Sequence, residues 1–388
     1  MRQEVLQQMK ESIIIRNFGP ISEVEIADVR PLTVFIGESG SGKSTIMKVI
    51  VLFRWIYKMV NIRSYLKHAN ITQSPFTFNF KSYLKNNGFA DFIKDNTEII
   101  YRKGNNIISY KGSLDAAITI PADELSLEKM CFIADKRNLI PDILAAKKKD
   151  NIPMNFFLEE TFNDFSIASE FIKELRIDYL GIKYLSKESN AGTKYYIESI
   201  KEEDEYTIKL EDSSSGTQTV VPLSIIIEYF SRHYDFESRF NKIIFKYMSQ
   251  SDNLKDFRAD QNIGDIRYKN IHVHIEEPEL SLYPESQRSL INFIVNRCFI
   301  DKPAGYNMSL MMATHSPYII NHLNLLIMAG EKNQLEENAR LLFDNVDVFE
   351  IVDGYLNSLK REDNQIIDTR PLSEPISNIY ERYNSLKQ

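Results

Sequence analysis

The sequence predicts an α/β fold in which parallel strands alternate with helices. Three apolar segments have the length and composition of buried strands, and polar or charged residues follow each one: 31–36 (PLTVFI), 271–275 (IHVHI) and 309–313 (SLMMA). A long apolar helix pattern, free of glycine and proline, follows the first segment at 44–60. Strands separated by helical patterns favour a parallel sheet with its functional side chains at the carboxyl ends of the strands.

Two antiparallel strands are expected before this sheet begins. The segments SIIIRNF and ISEVEIADV are joined at Gly19 and Pro20, and the second alternates apolar residues with glutamates. Alternation of period two is typical of a strand with one buried face. The chain is therefore expected to start with an antiparallel lobe.

Residues 37–44 fit the phosphate-binding pattern G-x-x-x-x-G-K-[ST], placed between a predicted strand and a predicted helix. In that setting backbone N–H groups wrap phosphates at the N-terminus of the helix. Lys43 would bridge the outer phosphates, and the Ser44 hydroxyl would bind Mg²⁺. The sequence thus predicts a site for a nucleoside triphosphate and Mg²⁺ with the binding residues Gly37, Glu38, Ser39, Gly40, Ser41, Gly42, Lys43, Ser44 and Thr45.

The middle of the chain predicts hairpins and an inserted helical arm. A turn at Gly104 and Asn105 joins two strand patterns, and 129–135 has the pattern of a buried strand. Apolar residues recur at helical spacing over 154–185, which predicts two helices of the arm. A hairpin is expected around the acidic turn KEED. The predicted domains are a first nucleotide-binding lobe at 1–150, the arm at 151–190 and a second lobe at 191–388.

Paired carboxylates, Glu276 and Glu277, end the second of the three apolar strands. Mg²⁺ needs hard oxygen ligands, and attack of water on a γ-phosphate needs an oriented carboxylate. Glu276 is assigned to the metal through its water shell, and Glu277 is assigned to the attacking water. His315 follows the third strand and suits a sensor of the γ-phosphate, although a lone histidine at a strand end is usually structural.

After these strands, DVFEIVDG is expected as the last strand, and a closing helix has Ser373 as its N-cap.

Composition limits the partners of the chain. The 388 residues are 43% hydrophobic and carry a net charge of −7, which gives no global attraction to nucleic acid or anionic lipid. The most apolar segment is interrupted by Lys48, Arg54 and Lys58, and the first residues lack a signal-peptide pattern. The two cysteines are too few for a disulfide framework. A cytoplasmic protein without a membrane partner is expected.

A polar turn before an apolar helix, at 210–230, resembles a further nucleotide-contacting element. Its residues SSGTQ (214–218) resemble the signature loop L-S-G-G-Q of the ABC-type ATPases, and the order of motifs matches that superfamily along most of the chain. The segments EEPELSLYP and ATHSPYII resemble the overcoming-lysogenization-defect and RecF-like ATPases. FIADKRNLIP (132–141) resembles a degenerate form of the segment Y-I-P-A-E-R in their defence-associated relatives.

This resemblance implies an ABC-type P-loop NTPase fold with a mixed sheet, an antiparallel β lobe and an inserted helical arm. It implies a homo-oligomer, at least a head-to-tail dimer, in which Ser215 and Gly216 contact the γ-phosphate held by the partner. Thr217 stands where the family has the second signature glycine. Gln73 is the only glutamine between the phosphate loop and the signature loop, so the resemblance puts Lys136 and Arg137 near the place of the family's sensing glutamine.

The leading functional hypothesis is an ATPase that controls a separate effector, a nuclease, as in defence systems of the PARIS and Septu kind. No nuclease domain is expected after the last helix. An ATPase of RecF or SMC type that clamps DNA is the first alternative, but it predicts a basic surface or long heptads that the sequence lacks. A transporter subunit would carry the missing glutamine, and a scaffold without turnover would not need Lys43, Glu277 and His315.

Overall fold

The structure is a computed structural model that describes residues 9–69, 80–86, 88–146, 154–189, 192–201, 205–248 and 266–387. Gln73 lies outside these residues. No helix within the described ranges is both long enough and apolar enough to cross a membrane.

Antiparallel strands form one half of the main sheet. β1 (Glu11–Phe18) pairs with β2 (Ile21–Ile26) on one side and with β4 (Ile93–Lys103) on the other, and β5 (Asn106–Lys111) and β6 (Ser113–Asp115) extend this half outward. Alternate residues of β1 are buried, because one face of this half packs on the core. The expected antiparallel lobe and the hairpin at Gly104 are confirmed.

Parallel strands form the other half. β3 (Leu32–Ile36), β7 (Ser126–Ile133), β12 (Tyr268–Glu276), β13 (Asn307–Thr314) and β14 (Val346–Val352) lie in the order β14-β3-β13-β12-β7. All five residues of β3 are buried, as expected for a strand covered on both faces. β15 (Tyr355–Ser358) pairs with β14 and with β2, so the two halves form one mixed sheet of 11 strands among the described residues. The predicted mixed α/β fold is confirmed.

Helices cover the sheet and connect its strands. The longest is α1 (Lys43–His68), which starts at the phosphate loop and is apolar on nearly all sides because the sheet and neighbouring elements surround it. The others that the structure describes are α2 (Phe80–Asn86), α3 (Ile140–Ala145), α4 (Phe156–Phe171), α5 (Ser215–Arg232), α6 (Phe236–Met248), α7 (Pro284–Val295), α8 (Pro317–Glu331) and α9 (Arg370–Ser385).

The segment predicted as two helices contains one helix, α4, and the prediction of a second helix was wrong. The chain leaves α4 at Ile172 and forms β8 (Glu174–Ile177) and β9 (Ile182–Ser189), with a turn at Gly181 between them. β10 (Gly192–Ser199) and β11 (Thr207–Lys209) complete a separate antiparallel sheet of four strands. The apolar residues of this stretch fit the period of two of a strand as well as helical spacing. Hydrogen bonding between neighbouring strands stabilises the sheet over a second helix.

The C-terminal region also differs from the expectation. β14 is not the last strand, because β15 and a small ribbon of β16 (Lys360–Arg361) and β17 (Ile366–Ile367) follow it. Helix α9 starts at Arg370 with Pro371 in its first turn, a position that proline favours. Ser373 is therefore inside the helix, where its hydroxyl donates to the Thr369 carbonyl, and it is not the N-cap.

Buried ion pairs join α1 to the sheet and two strands to each other. The Arg54 guanidinium donates to both carboxylate oxygens of Glu11, at 2.7 and 2.9 Å, and lies 2.9 Å from Nε2 of His274. Nearby, Glu128 accepts from Lys103 at 2.7 Å. Charges this deep in a core are tolerated because each one has a close partner of opposite sign.

Candidate active site

The carboxyl ends of the parallel strands bring the predicted motifs to one edge of the sheet. Thr314, at the end of β13, pairs with Ile36 at the end of β3, and Glu276, at the end of β12, pairs with Ala313. The phosphate loop, the acidic pair and the histidine segment therefore start level with one another. This edge is where α/β proteins of this type hold their ligands.

The phosphate loop is already shaped around the Lys43 side chain. Gly42 has a φ of 109°, and a Cβ atom there would lie 2.6 Å from Cδ1 of Ile21, so the position requires glycine. The Lys43 ammonium donates to the carbonyls of Gly37 at 2.9 Å and Glu38 at 2.7 Å. Burial lowers the pKa of Lys43, and the carboxylates of Glu277 and Glu279 oppose that shift. A cation thus lies over the loop that would hold the phosphates.

The remaining loop residues leave room for a ligand. Glu38, Ser39 and Gly40 are exposed, whereas Ser44 and Thr45 are half-buried at the start of α1. The Ser41 hydroxyl is buried and has no hydrogen-bond partner among the described residues. A buried hydroxyl without a partner is costly, and a phosphate bound in this loop would supply one.

Glu276, the predicted metal residue, has one carboxylate oxygen without a hydrogen-bond partner among the described residues. Its Oε1 lies 2.7 Å from the Lys48 ammonium, while Oε2 is buried with no partner in the described part of the chain. No group of three histidine, cysteine or acidic residues fit to hold a metal occurs in the described ranges. Mg²⁺ at a triphosphate takes most ligands from phosphates and waters, so Ser44 and Glu276 fit that ion without such a group.

Glu277, directly after β12, has an unusual backbone conformation. Its φ is +44°, which is rare for a residue other than glycine, and its N–H donates to the Ala313 carbonyl at 2.8 Å. Its Oε1 lies 3.7 Å from Nε2 of His315, and both side chains are partly exposed. Burial, and then the Glu279 carboxylate, raise the pKa of Glu277. A carboxylate and an imidazole thus face the same space at the strand ends.

Arg137 holds the acidic strand end in place, a role that sequence reasoning missed. Its guanidinium is buried and donates to the carbonyls of Glu276 and Glu277, each at 2.7 Å. It also donates to the carbonyls of Ala134 at 3.1 Å and Thr219 at 3.2 Å. Burial lowers the pKa of Arg137 to about 10, so it stays charged at neutral pH.

This geometry corrects part of the expectation for the sensing residue. Arg137 is directed at backbone carbonyls, so it does not stand in for a glutamine that contacts phosphate, whereas Lys136 beside it is exposed. Resemblance in the FIADKRNLIP segment drew attention to this arginine, but nothing in the sequence indicated its carbonyl partners.

Glu279 is a second residue that the sequence did not single out. Its carboxylate accepts from the Thr314 hydroxyl at 2.8 Å and from the backbone N–H of His315 at 2.6 Å. The loop after β12 is therefore fastened to the end of β13. That contact sets the position of the His315 backbone relative to Glu277.

The predicted signature loop begins α5. Ser214 is the N-cap and accepts from the N–H of Thr217 at 3.3 Å, and Ser215 is exposed at the first helical position. A Cβ atom on Gly216 would lie 2.9 Å from the Ser281 carbonyl, so glycine is needed for this close approach. The loop after β12 and the signature loop thus support each other.

The start of α5 lies away from the phosphate loop of its own chain. Arg137 joins α5 to the end of β7, and β7 is three strands from β3 in the sheet order. Neighbouring strands are about 4.8 Å apart, so about 14 Å separate these two strands. The structure therefore brings Lys43, Glu276, Glu277 and His315 to one edge, while Ser215 and Gly216 lie farther along it.

Comparisons with known proteins gave solved structures of low sequence identity. A search of curated proteins gave no match. Similar solved structures include an SMC head bound to the C-terminal winged-helix domain of ScpA (12% identity, 92% of this chain and 99% of that chain, TM-score 0.36). They also include the recombination mediator RecF with ATPγS (8%, 91% and 99%, TM-score 0.34) and the ATP-binding cassette MJ1267 of an ABC transporter (11%, 96% and 99%, TM-score 0.32).

The family comparison covers most of the chain. A family model described as an AAA ATPase domain matches residues 9–58 and 56–320. These residues include the phosphate loop, the signature loop, the acidic strand and the histidine segment. The chain belongs to the family of this AAA ATPase domain.

Proposed function

We propose that this protein is an ABC-type ATPase that dimerises around ATP and controls a separate effector, a nuclease, in prokaryotic antiphage defence. The observation that carries the ATPase part is the arrangement of Lys43, Glu276, Glu277 and His315 at one edge of the sheet. The part concerning defence and the effector is supported by the resemblance of the sequence motifs alone. The proposed location is the cytoplasm.

Binding of ATP uses the phosphate loop. Backbone N–H groups of the loop would bind the phosphates, with the N-terminus of α1 behind them. Lys43 exchanges its two carbonyl partners for phosphate oxygens, which accept its protons more strongly because they are charged. Ser44 and Glu276 would hold Mg²⁺, and the ion would reduce the negative charge on the phosphates.

Hydrolysis uses the two side chains beyond the strand ends. Glu277 accepts a hydrogen bond from the attacking water and orients it toward the γ-phosphate. His315, 3.7 Å from Glu277, donates to a γ-phosphate oxygen and so links the state of the nucleotide to its own strand. Glu279 keeps the His315 backbone in place during that contact.

The second half of each site comes from a partner subunit in this proposal. Ser215 is exposed at the N-terminus of α5, where the helix dipole favours a negative group. Arg137 joins α5 to the end of β7, which lies about 14 Å from β3 in the sheet, so in this proposal Ser215 serves the phosphates of the partner and not those of its own chain. A head-to-tail dimer brings each signature loop to the other phosphate loop.

The test of the ATPase part is a measurement of phosphate release with and without Mg²⁺ and DNA. Glu276→Gln is expected to raise the Mg²⁺ concentration needed for half-maximal rate, because the metal loses a formal charge from its surroundings. Absence of ATP turnover in the wild-type protein at any Mg²⁺ concentration would overturn the ATPase proposal. Strong stimulation by DNA, with a gel shift, would favour the RecF or SMC alternative over control of an effector.

The test of the effector part is a growth assay in cells that also carry the neighbouring gene. If the ATP-bound dimer activates the effector, a chain that binds ATP without hydrolysing it will be toxic only when the neighbour is present. No toxicity in any nucleotide state, with both proteins expressed, would remove the defence proposal.

A further inference from the structure

A cavity of about 120 Å³ lies behind the acidic strand end, between α1, β7 and α4. Its walls include the rings of Trp55, Phe132 and Phe157. A cavity of about 150 Å³ in a protein core accepts one benzene molecule, so this cavity suits a group of about one aromatic ring. It does not overlap the phosphate loop.

Three lysines line the same cavity, and they are not equally neutralised. Lys129 lies 2.9 Å from Asp164, and Lys48 lies 2.7 Å from Glu276. Lys58 makes no hydrogen bond or ion pair with any residue that the structure describes. Burial, and then the charge of Lys129, lower the pKa of Lys58 to about 8, so it still carries a proton at neutral pH.

Glu160, on α4, is the one carboxylate in the lining, and no ion pair joins it to Lys58 among the described residues. Burial raises the pKa of Glu160, while its charge favours the protonated form of Lys58. A half-buried ammonium among aromatic rings without a close partner is costly for the protein. An anion in the cavity would relieve that cost.

We propose that this cavity binds a small anion with an apolar body of about one aromatic ring, such as an aryl carboxylate, with its charge on Lys58. The rings of Trp55, Phe132 and Phe157 cover the apolar body. The charge of the ligand completes the set of ion pairs that already neutralises Lys48 and Lys129.

Binding of an anion in this cavity is expected to change the surroundings of Glu276, the proposed metal residue, through Lys48. The Lys48 ammonium lies 5.0 Å from the centre of the Phe157 ring and 5.7 Å from that of Phe132, while it contacts Glu276. An anion held on Lys58 also attracts this ammonium and weakens its pairing with Glu276. Glu276 is then less fully neutralised, so the affinity for Mg²⁺ rises. This coupling rests on the proposed ATPase function, whereas the binding itself does not.

Benzoate is a suitable probe, and its binding to the full chain can be followed by calorimetry without nucleotide. For a ligand of nine non-hydrogen atoms, a Kd of about 10 mM or tighter is expected. Lys58→Met keeps the length and apolar contact of the side chain but removes its charge, and is expected to weaken binding at least tenfold. Lys67→Met is the matched control, because Lys67 is an exposed lysine of the same helix.

Benzamide, a neutral ligand of the same shape, distinguishes charge recognition from simple filling of the cavity. The proposal is overturned if benzamide binds as tightly as benzoate, if Lys58→Met binds benzoate like wild type, or if wild type shows no saturable binding at about 10 mM.

The coupling has its own readout. Benzoate is expected to lower the Mg²⁺ concentration needed for half-maximal ATP turnover in the wild-type protein and to have no such effect in Lys48→Met. If benzoate binds but the Mg²⁺ requirement is unchanged, the anion site is supported and the coupling to Glu276 is refuted. If benzoate binds but the protein never hydrolyses ATP, the anion site is supported and the proposed ATPase function is refuted.

Discussion

Glu277 is the residue on which the proposed chemistry depends most. A carboxylate that orients the attacking water acts mainly in the transition state, so Glu277→Gln is expected to lower kcat by about 10²–10⁴-fold. ATP affinity is expected to stay the same or increase, because the amide keeps the shape and removes a negative charge beside the phosphates. Single-turnover hydrolysis and nucleotide titration measure the two quantities separately.

The control for this change is Glu285→Gln. Glu285 is an exposed glutamate in the first turn of α7, where it pairs with Arg288. It is expected to keep wild-type turnover. Turnover within a few-fold of wild type in Glu277→Gln would remove Glu277 from the mechanism and transfer the water-positioning role to His315.

The pH dependence of turnover tests the same carboxylate in another way. The pKa of Glu277 is raised, first by burial and then by the Glu279 carboxylate. Glu277 must be ionised to accept from water, so kcat is expected to fall as pH falls through a midpoint above the ordinary value of about 4.3. Glu279→Gln removes one cause of the shift, so its midpoint is expected at lower pH.

The pH profile is measured with circular dichroism at each pH, so that only folded protein is compared. Loss of activity at low pH with an unchanged midpoint in Glu279→Gln would mean that the Glu279 charge does not act on this group.

Among the elements, the end of β12 depends on Arg137. Its guanidinium donates to four backbone carbonyls, those of Ala134, Thr219, Glu276 and Glu277. A lysine in its place cannot reach all four, and each buried carbonyl left without a partner costs about 1–3 kcal/mol. Arg137→Lys is therefore expected to lower the free energy of unfolding by about 2–4 kcal/mol in urea denaturation.

Arg176→Lys provides the comparison, because Arg176 pairs with Asp178 at the surface, and such exposed pairs contribute little. Arg137→Lys is also expected to lower ATP turnover, because the Glu276 and Glu277 carbonyls that it anchors adjoin the site. Equal stability in the two variants would show that the guanidinium of Arg137 does not hold the strand end.

The sequence was informative where the chemistry is local. The phosphate loop, β3, β12 and β13 were predictable because an apolar run and the polar residues after it are neighbours in the chain. Arg137 was not predictable in its role, because its partners include the Glu277 carbonyl, 140 residues away, and carbonyls carry no sequence pattern. The second arm helix was predicted wrongly because spacing alone does not distinguish β8 and β9 from a helix.

At the scale of the whole molecule, the separation of the two nucleotide motifs predicts shared sites. The phosphate loop follows β3, and the signature loop is joined to the end of β7, three strands away. In a head-to-tail dimer each site then takes one half from each subunit. Lys43→Ala should disable one half of a site, and Ser215→Arg should disable the other half, because a large side chain at the exposed start of α5 blocks the partner's phosphates.

Mixing the two inactive variants tests this arrangement. Half of the randomly paired dimers contain one copy of each variant, and each such dimer keeps one intact site of two. About a quarter of wild-type turnover is therefore expected after subunit exchange.

Ser113→Arg is the control, because Ser113 is exposed on β6, at the opposite end of the sheet from β7. It should be active alone, and its mixture with Lys43→Ala should reach about half of wild-type turnover. Exchange is followed by fluorescence transfer between labelled subunits in the presence of ATP. If subunits exchange and Ser215→Arg with Lys43→Ala stays inactive, the two motifs do not form a shared site.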